Sequence, residues 1–106
     1  MAALDDLDHA LDQSLEMTRR MKERITELNV ALSQGRPLRE IVPNEATPLL
    51  VQLLTESTNL LHSYGNRLRR TEARALHNEG ITMDEIAKLF GVSRQRVSAL
   101  LRDLQG

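Results

Sequence analysis

From Leu4 to Leu32 the chain carries an unbroken seven-residue repeat. Leu4, Leu7, Leu11, Ser14, Thr18, Met21, Ile25, Leu28 and Leu32 follow one another at alternating spacings of three and four. No glycine or proline interrupts them, so residues 4–32 are expected to form one long helix. The stripe is narrow, and a narrow apolar seam on a lone helix stays in water. The repeat therefore demands a partner helix. Gly35 and Pro37 stop it.

The rest of the chain supplies one candidate partner. Residues 34–47 contain Gly35, Pro37, Pro43 and Asn44 and read as a linker, within which Leu38, Ile41 and Val42 can pack locally. A second helix is expected to start at Thr47-Pro48, with Thr47 as N-cap and Pro48 at the first helical position. Its apolar face is Leu50, Leu53, Leu54, Leu61, Tyr64 and Leu68. Gly65 marks a bend or a join, helical pattern resumes to Asn78, and Gly80 is the expected C-cap. Two long helices and a short loop suggest an antiparallel hairpin. The same stripe also suits pairing with a second copy through Leu4, Leu7, Leu11, Met21, Ile25, Leu28 and Leu32. Spacing alone does not separate the two, and a four-helix dimer would satisfy both.

Composition agrees with helices packed on helices. Aromatics make up 2% of the 106 residues, Phe90 and Tyr64, so the core is aliphatic. With no cysteine, disulfides and thiolate metal sites are excluded. His9, His62 and His77 are not at metal-ligand spacing, the five glycines form no phosphate-cradling loop, and no nucleophile sits in a catalytic motif. Asp5, Asp6, Asp8 and Asp12 favour the positive end of a helix dipole. No enzyme, cofactor or metal is expected. The chain lacks a signal-like start and an apolar run of membrane-spanning length, which points to the cytoplasm and away from a membrane.

Charge is unevenly spread. Residues 1–33 hold seven acids against four bases, whereas residues 67–106 hold eight bases against five acids. A basic C-terminal end suits contact with phosphate.

The segment TMDEIAKLFGVSRQRVSALLR, Thr82 to Arg102, carries the strongest local signals. Thr82 caps a short helix and Glu85 completes a capping box. Ile86, Ala87, Leu89 and Phe90 form the expected buried side. Gly91 permits the left-handed turn, Val92 plugs it, and Ser93 caps a third helix buried through Val97, Leu100 and Leu101. Ala87, four residues before Gly91, is small where two helices cross steeply. The outer face of the last helix is Arg94, Gln95, Ser98 and Arg102, with Arg96 on its flank. Arginine pairs with guanine and glutamine with adenine through two hydrogen bonds each. Ser93 at a helix N-terminus suits a phosphate.

This segment resembles the helix-turn-helix of bacterial transcription regulators at Ile86, Ala87, Phe90, Gly91, Val92, Val97 and Leu100. The run Gly91 to Val97, GVSRQRV, is most similar to the fourth-region helix-turn-helix of sigma factors, where such a run opens the helix that reads promoter DNA. The resemblance implies that Arg94, Gln95 and Ser98 face bases while Ser93 and Arg96 meet phosphates. With the preceding helix from Arg69 it covers roughly a third of the chain. Residues 1–66 show no sigma-like polymerase-binding region. Thr82, Arg70 and Arg74 are further phosphate candidates, and Arg102 a further base candidate.

The expected architecture is thus all-α: an oligomerising helix over residues 1–33, a linker over 34–47, the second hairpin helix over 48–66, and a helix-turn-helix unit over 67–106. The expected function is sequence-specific binding of double-stranded DNA by a homodimeric transcription regulator, with the helix from about Arg94 to Leu104 in the major groove. The alternatives are a module that docks on RNA polymerase or another regulator, and an architectural DNA-binding protein.

Overall fold

The computed structural model describes residues 1–102, and the protein is all-α over them. Helix α1 spans Ala2–Ser33 and a single-turn α2 spans Leu38–Ile41, followed by a 3-10 turn at Val42–Asn44. Helices α3, α4 and α5 span Leu50–Asn78, Met83–Phe90 and Arg94–Arg102. The end of the expected recognition helix, residues 103–104, lies outside the described residues. Two compact units form: residues 8–62, and residues 1–7 together with 63–102. Helices α1 and α3 contribute to both, and α3 runs through Gly65 without a break.

In the first unit α1 and α3 pair antiparallel. Ser14 meets Ser57 through hydroxyls 3.4 Å apart, while Arg24, further along α1, reaches Glu45 and Ala46, which precede α3. The seam differs from the expected stripe. On α1 the residues turned inward are Ala10, Ser14, Met17, Met21, Arg24, Leu28 and Ala31. Of the expected seam, Leu7, Met21 and Leu28 are half-buried, but Leu4, Leu11, Ile25 and Leu32 are exposed. On α3, Leu53 and Ser57 are buried, and the expected face members Leu54 and Leu61 are exposed. The reason is distance. Helices close enough for two serine hydroxyls to meet take alanine and serine between them, and the large leucines are displaced to the side.

The expected linker contains structure of its own. Ile41 is buried, and Leu38 is exposed. Arg24, with 12% of its side chain exposed, donates from Nη1 to Glu45 Oε1 at 3.1 Å and to the Ala46 carbonyl at 2.7 Å. Glu45, 5% exposed, also accepts the Leu50 backbone N–H at 3.0 Å. One carboxylate therefore neutralises a buried cation and satisfies a donor at the start of α3, where backbone N–H groups lack helical partners. Helix α3 begins at Leu50 rather than at Pro48. The Thr47–Pro48 peptide is cis, and Leu49 takes the capping position, its N–H donating to Gln52 Oε1 at 2.7 Å.

The second unit is built on the end of α3. Ala73, Ile86, Ala87, Val97 and Leu100 form its buried core, with Leu76, Ile81, Met83, Phe90, Val92 and Leu101 packed around them. Each fully buried Ile, Val or Leu contributes about 1.5–3 kcal/mol relative to exposure. Leu89, expected in this core, is 69% exposed. The buried side of an eight-residue helix is set by Ile86, Ala87 and Phe90, and Leu89 falls outside the arc they define. Arg67 of α3 pairs with Asp6 of α1 within this unit. Among the described residues no helix is long and apolar enough to cross a membrane.

Candidate nucleic-acid interface

Two short helices and the turn between them set the geometry. Thr82 caps α4, its Oγ1 accepting the Glu85 N–H at 3.2 Å. The same hydroxyl donates to Glu85 Oε1 at 3.0 Å, so Thr82 and Glu85 are joined through their side chains as well. Helix α4 ends at Gly91, whose φ of 67° is left-handed. The Gly91 N–H donates to the Lys88 carbonyl at 3.3 Å and the Val92 N–H to the Ala87 carbonyl at 3.0 Å. This paired closure uses the orphan carbonyls of the last turn. The end of α3 closes the same way at Gly80, with Ile81 N–H donating to Leu76.

Two residues past Gly91, Ser93 starts α5. Its Oγ accepts the Arg96 N–H at 3.0 Å. Val97 and Leu100, essentially without exposure, fix the rotation of α5 about its axis. With that rotation fixed, a turn of 100° per residue aligns Arg94, Ser98, Gln95 and Arg102 in one strip away from the core. Arg94, Gln95 and Arg102 are exposed, and Ser98 is half-buried. Arg96 is exposed on the other flank. Ala99 is half-buried beside Gln95 and was not singled out from the sequence, because alanine carries no chemistry a motif would register. Its small methyl leaves the neighbouring strip unobstructed.

Electrostatics favour anions at α5. It carries Arg94, Arg96 and Arg102 and no acid over Arg94–Arg102, and the positive end of its dipole lies at its first turn. One acid tempers this: Arg94 Nε lies 3.6 Å from Asp84 Oδ1 on α4, with both side chains about two-thirds exposed. In water such a pair is worth at most about 1 kcal/mol, so it orients Arg94 without sequestering it.

No protein-family model, curated protein or solved structure matches the chain. The interface therefore rests on its own geometry.

The remaining phosphate candidates divide. Ser93 and Arg96 sit together at the start of α5. Arg74 instead reaches the far end of α5, its Nη2 donating to the Leu101 carbonyl at 3.4 Å, where a cation suits the negative end of the helix dipole. Arg70 is half-buried on α3. Thr82 has a carboxylate bound to its hydroxyl, which repels phosphate.

Proposed function

We propose that the chain is a sequence-specific duplex DNA-binding protein that regulates transcription, with α5 entering the major groove. The observation that carries this reading is the strip of Arg94, Gln95, Ser98 and Arg102 on a helix whose rotation is fixed by Val97 and Leu100. Arginine and glutamine supply two-point hydrogen bonds to guanine and adenine, and the Ser93–Arg96 end of α5 supplies phosphate contact that sets register. The resemblance of Gly91–Val97 to the sigma-type helix-turn-helix points the same way. The chain would act as a two-fold pair, as helix-turn-helix proteins commonly do. The same surface also suits docking on RNA polymerase or another regulator, and the resemblance to sigma factors is what favours that second reading.

Anisotropy titration of a labelled duplex across a salt series separates the readings. DNA binding predicts affinity that falls steeply with salt, and Arg96→Ala lowers the slope of log K against log salt by about 1. Absence of binding at low salt overturns DNA recognition and leaves the protein-docking reading.

A further inference from the structure

In the unit of residues 8–62 the displaced leucines do not scatter. Leu11, Thr18, Ile25 and Leu32 each follow a seam residue of α1 by one position, after Ala10, Met17, Arg24 and Ala31. Leu54 and Leu61 follow Leu53 and Leu60 of α3 in the same way. Because the two helices run antiparallel, positions one step past equivalent seam rows fall on the same side of the pair. Leu15 and Val51 widen the strip by a further row. The seven aliphatic residues, 37% to 70% exposed, present on the order of 600 Å² of apolar surface. Between Leu11 and Leu32 the strip contains one charge, Lys22.

The other side of the pair is the opposite in character. It carries Gln13, Arg20 and Glu27 from α1 and Glu56 from α3. Behind them Arg19 bridges Glu16 and Glu23, and its hydrogen bond holds the Glu16 carboxyl below the usual carboxylate range. A chain that is 27% charged has thus cleared charge from one face and concentrated it on the other.

We propose that this face binds a second copy of the chain, giving a four-helix bundle in which α1 and α3 of each copy both take part. This rests on the reading of the chain as a two-fold pair, and not on what α5 binds. The area supports a second copy: with a polar rim, the strip approaches the roughly 800 Å² per partner that a stable interface buries. The chemistry supports it too. An aliphatic strip with almost no charge fits another such strip of equal length, and a two-fold axis supplies one. Lys22 lies on the strip's outer row, where a long stem can cover apolar surface while its ammonium stays in water.

The test is sedimentation of the full chain without DNA, with circular dichroism alongside. The wild type is expected at twice the 12.0 kDa chain mass. Leu11→Glu with Leu54→Glu weakens self-association by about a hundredfold or more, and helicity is retained because both side chains are exposed within the chain. Gln13→Glu with Glu56→Lys, on the charged side, remains a dimer. If the double glutamate variant unfolds, Leu11→Ser with Leu54→Ser replaces it and must weaken the dimer in the same direction. A wild type that sediments at the mass of one chain overturns both the pairing and this face. A dimer unmoved by variants of the apolar face overturns the face alone.

Discussion

Arg94 lies 3.6 Å from Asp84 in an exposed pair, and if α5 binds DNA as proposed, that carboxylate opposes the phosphates and gives a signed prediction. Asp84→Asn removes an acid from the edge of the interface, so affinity for any duplex should rise several-fold in an anisotropy titration, with little change in sequence preference. Arg94→Ala should behave differently, costing about 1–3 kcal/mol on a preferred duplex and flattening discrimination at the base pair it reads. At Gly91 the prediction concerns stability. An added Cβ there meets nothing within 4 Å, so the cost of Gly91→Ala comes from the left-handed backbone alone, about 1–2 kcal/mol by calorimetry. Ala87 was legible in the sequence as a small residue at a helix crossing, and it is buried there. Leu89 was not legible: one hydrophobic residue on a short helix looks like another until the core fixes which arc is covered.

Helix existence was written plainly in the repeat, the capping residues and the glycines, and α1, α4 and α5 lie where those signals put them. The phase of the α1 seam was not. Spacings of three and four can be completed from Leu7 through Leu11 or through Ala10, and hydrophobicity alone prefers leucine. Packing prefers alanine, since the Ser14–Ser57 contact leaves no room for a larger side chain between the helices. The start of α3 was hidden for a related reason. Glu45 and Gln52 act as its caps, and neither Glu nor Gln in a loop-like stretch announces that role. The Arg24–Glu45 pair follows from this arrangement, and breaking it should be severe. Arg24→Ala leaves a buried carboxylate unpaired and should cost about 3–5 kcal/mol in denaturant unfolding. The double substitution Arg24→Met with Glu45→Leu should recover part of that loss, because no buried charge remains while the Leu50 N–H loses its acceptor. At α5, Ser93→Ala removes the cap on the Arg96 N–H and should cost about 0.5–2 kcal/mol.

Taken together, one unit carries a charged helix on a fixed small core, and the other carries an aliphatic face with the features of a bundle half. A two-fold pair of such chains would present two copies of α5, and DNA read by two-fold pairs carries symmetric half-sites. The fold class was legible because it depends on periodicity summed over many residues. The exposed strip of α5 was legible where charge and hydrogen-bonding groups mark it, as at Arg94 and Gln95, and not at Ala99, whose half-buried place beside them carries no chemical signal. The most direct measurement is enrichment of sequences from a randomised duplex pool by the full chain, followed by anisotropy on the enriched site. The prediction is a defined motif with two-fold symmetry and half-sites about one helical turn apart, with Arg94→Ala binding it about 1–3 kcal/mol more weakly and losing preference at one base pair of each half-site. A pool that stays random through selection at low salt would contradict sequence-specific recognition by α5.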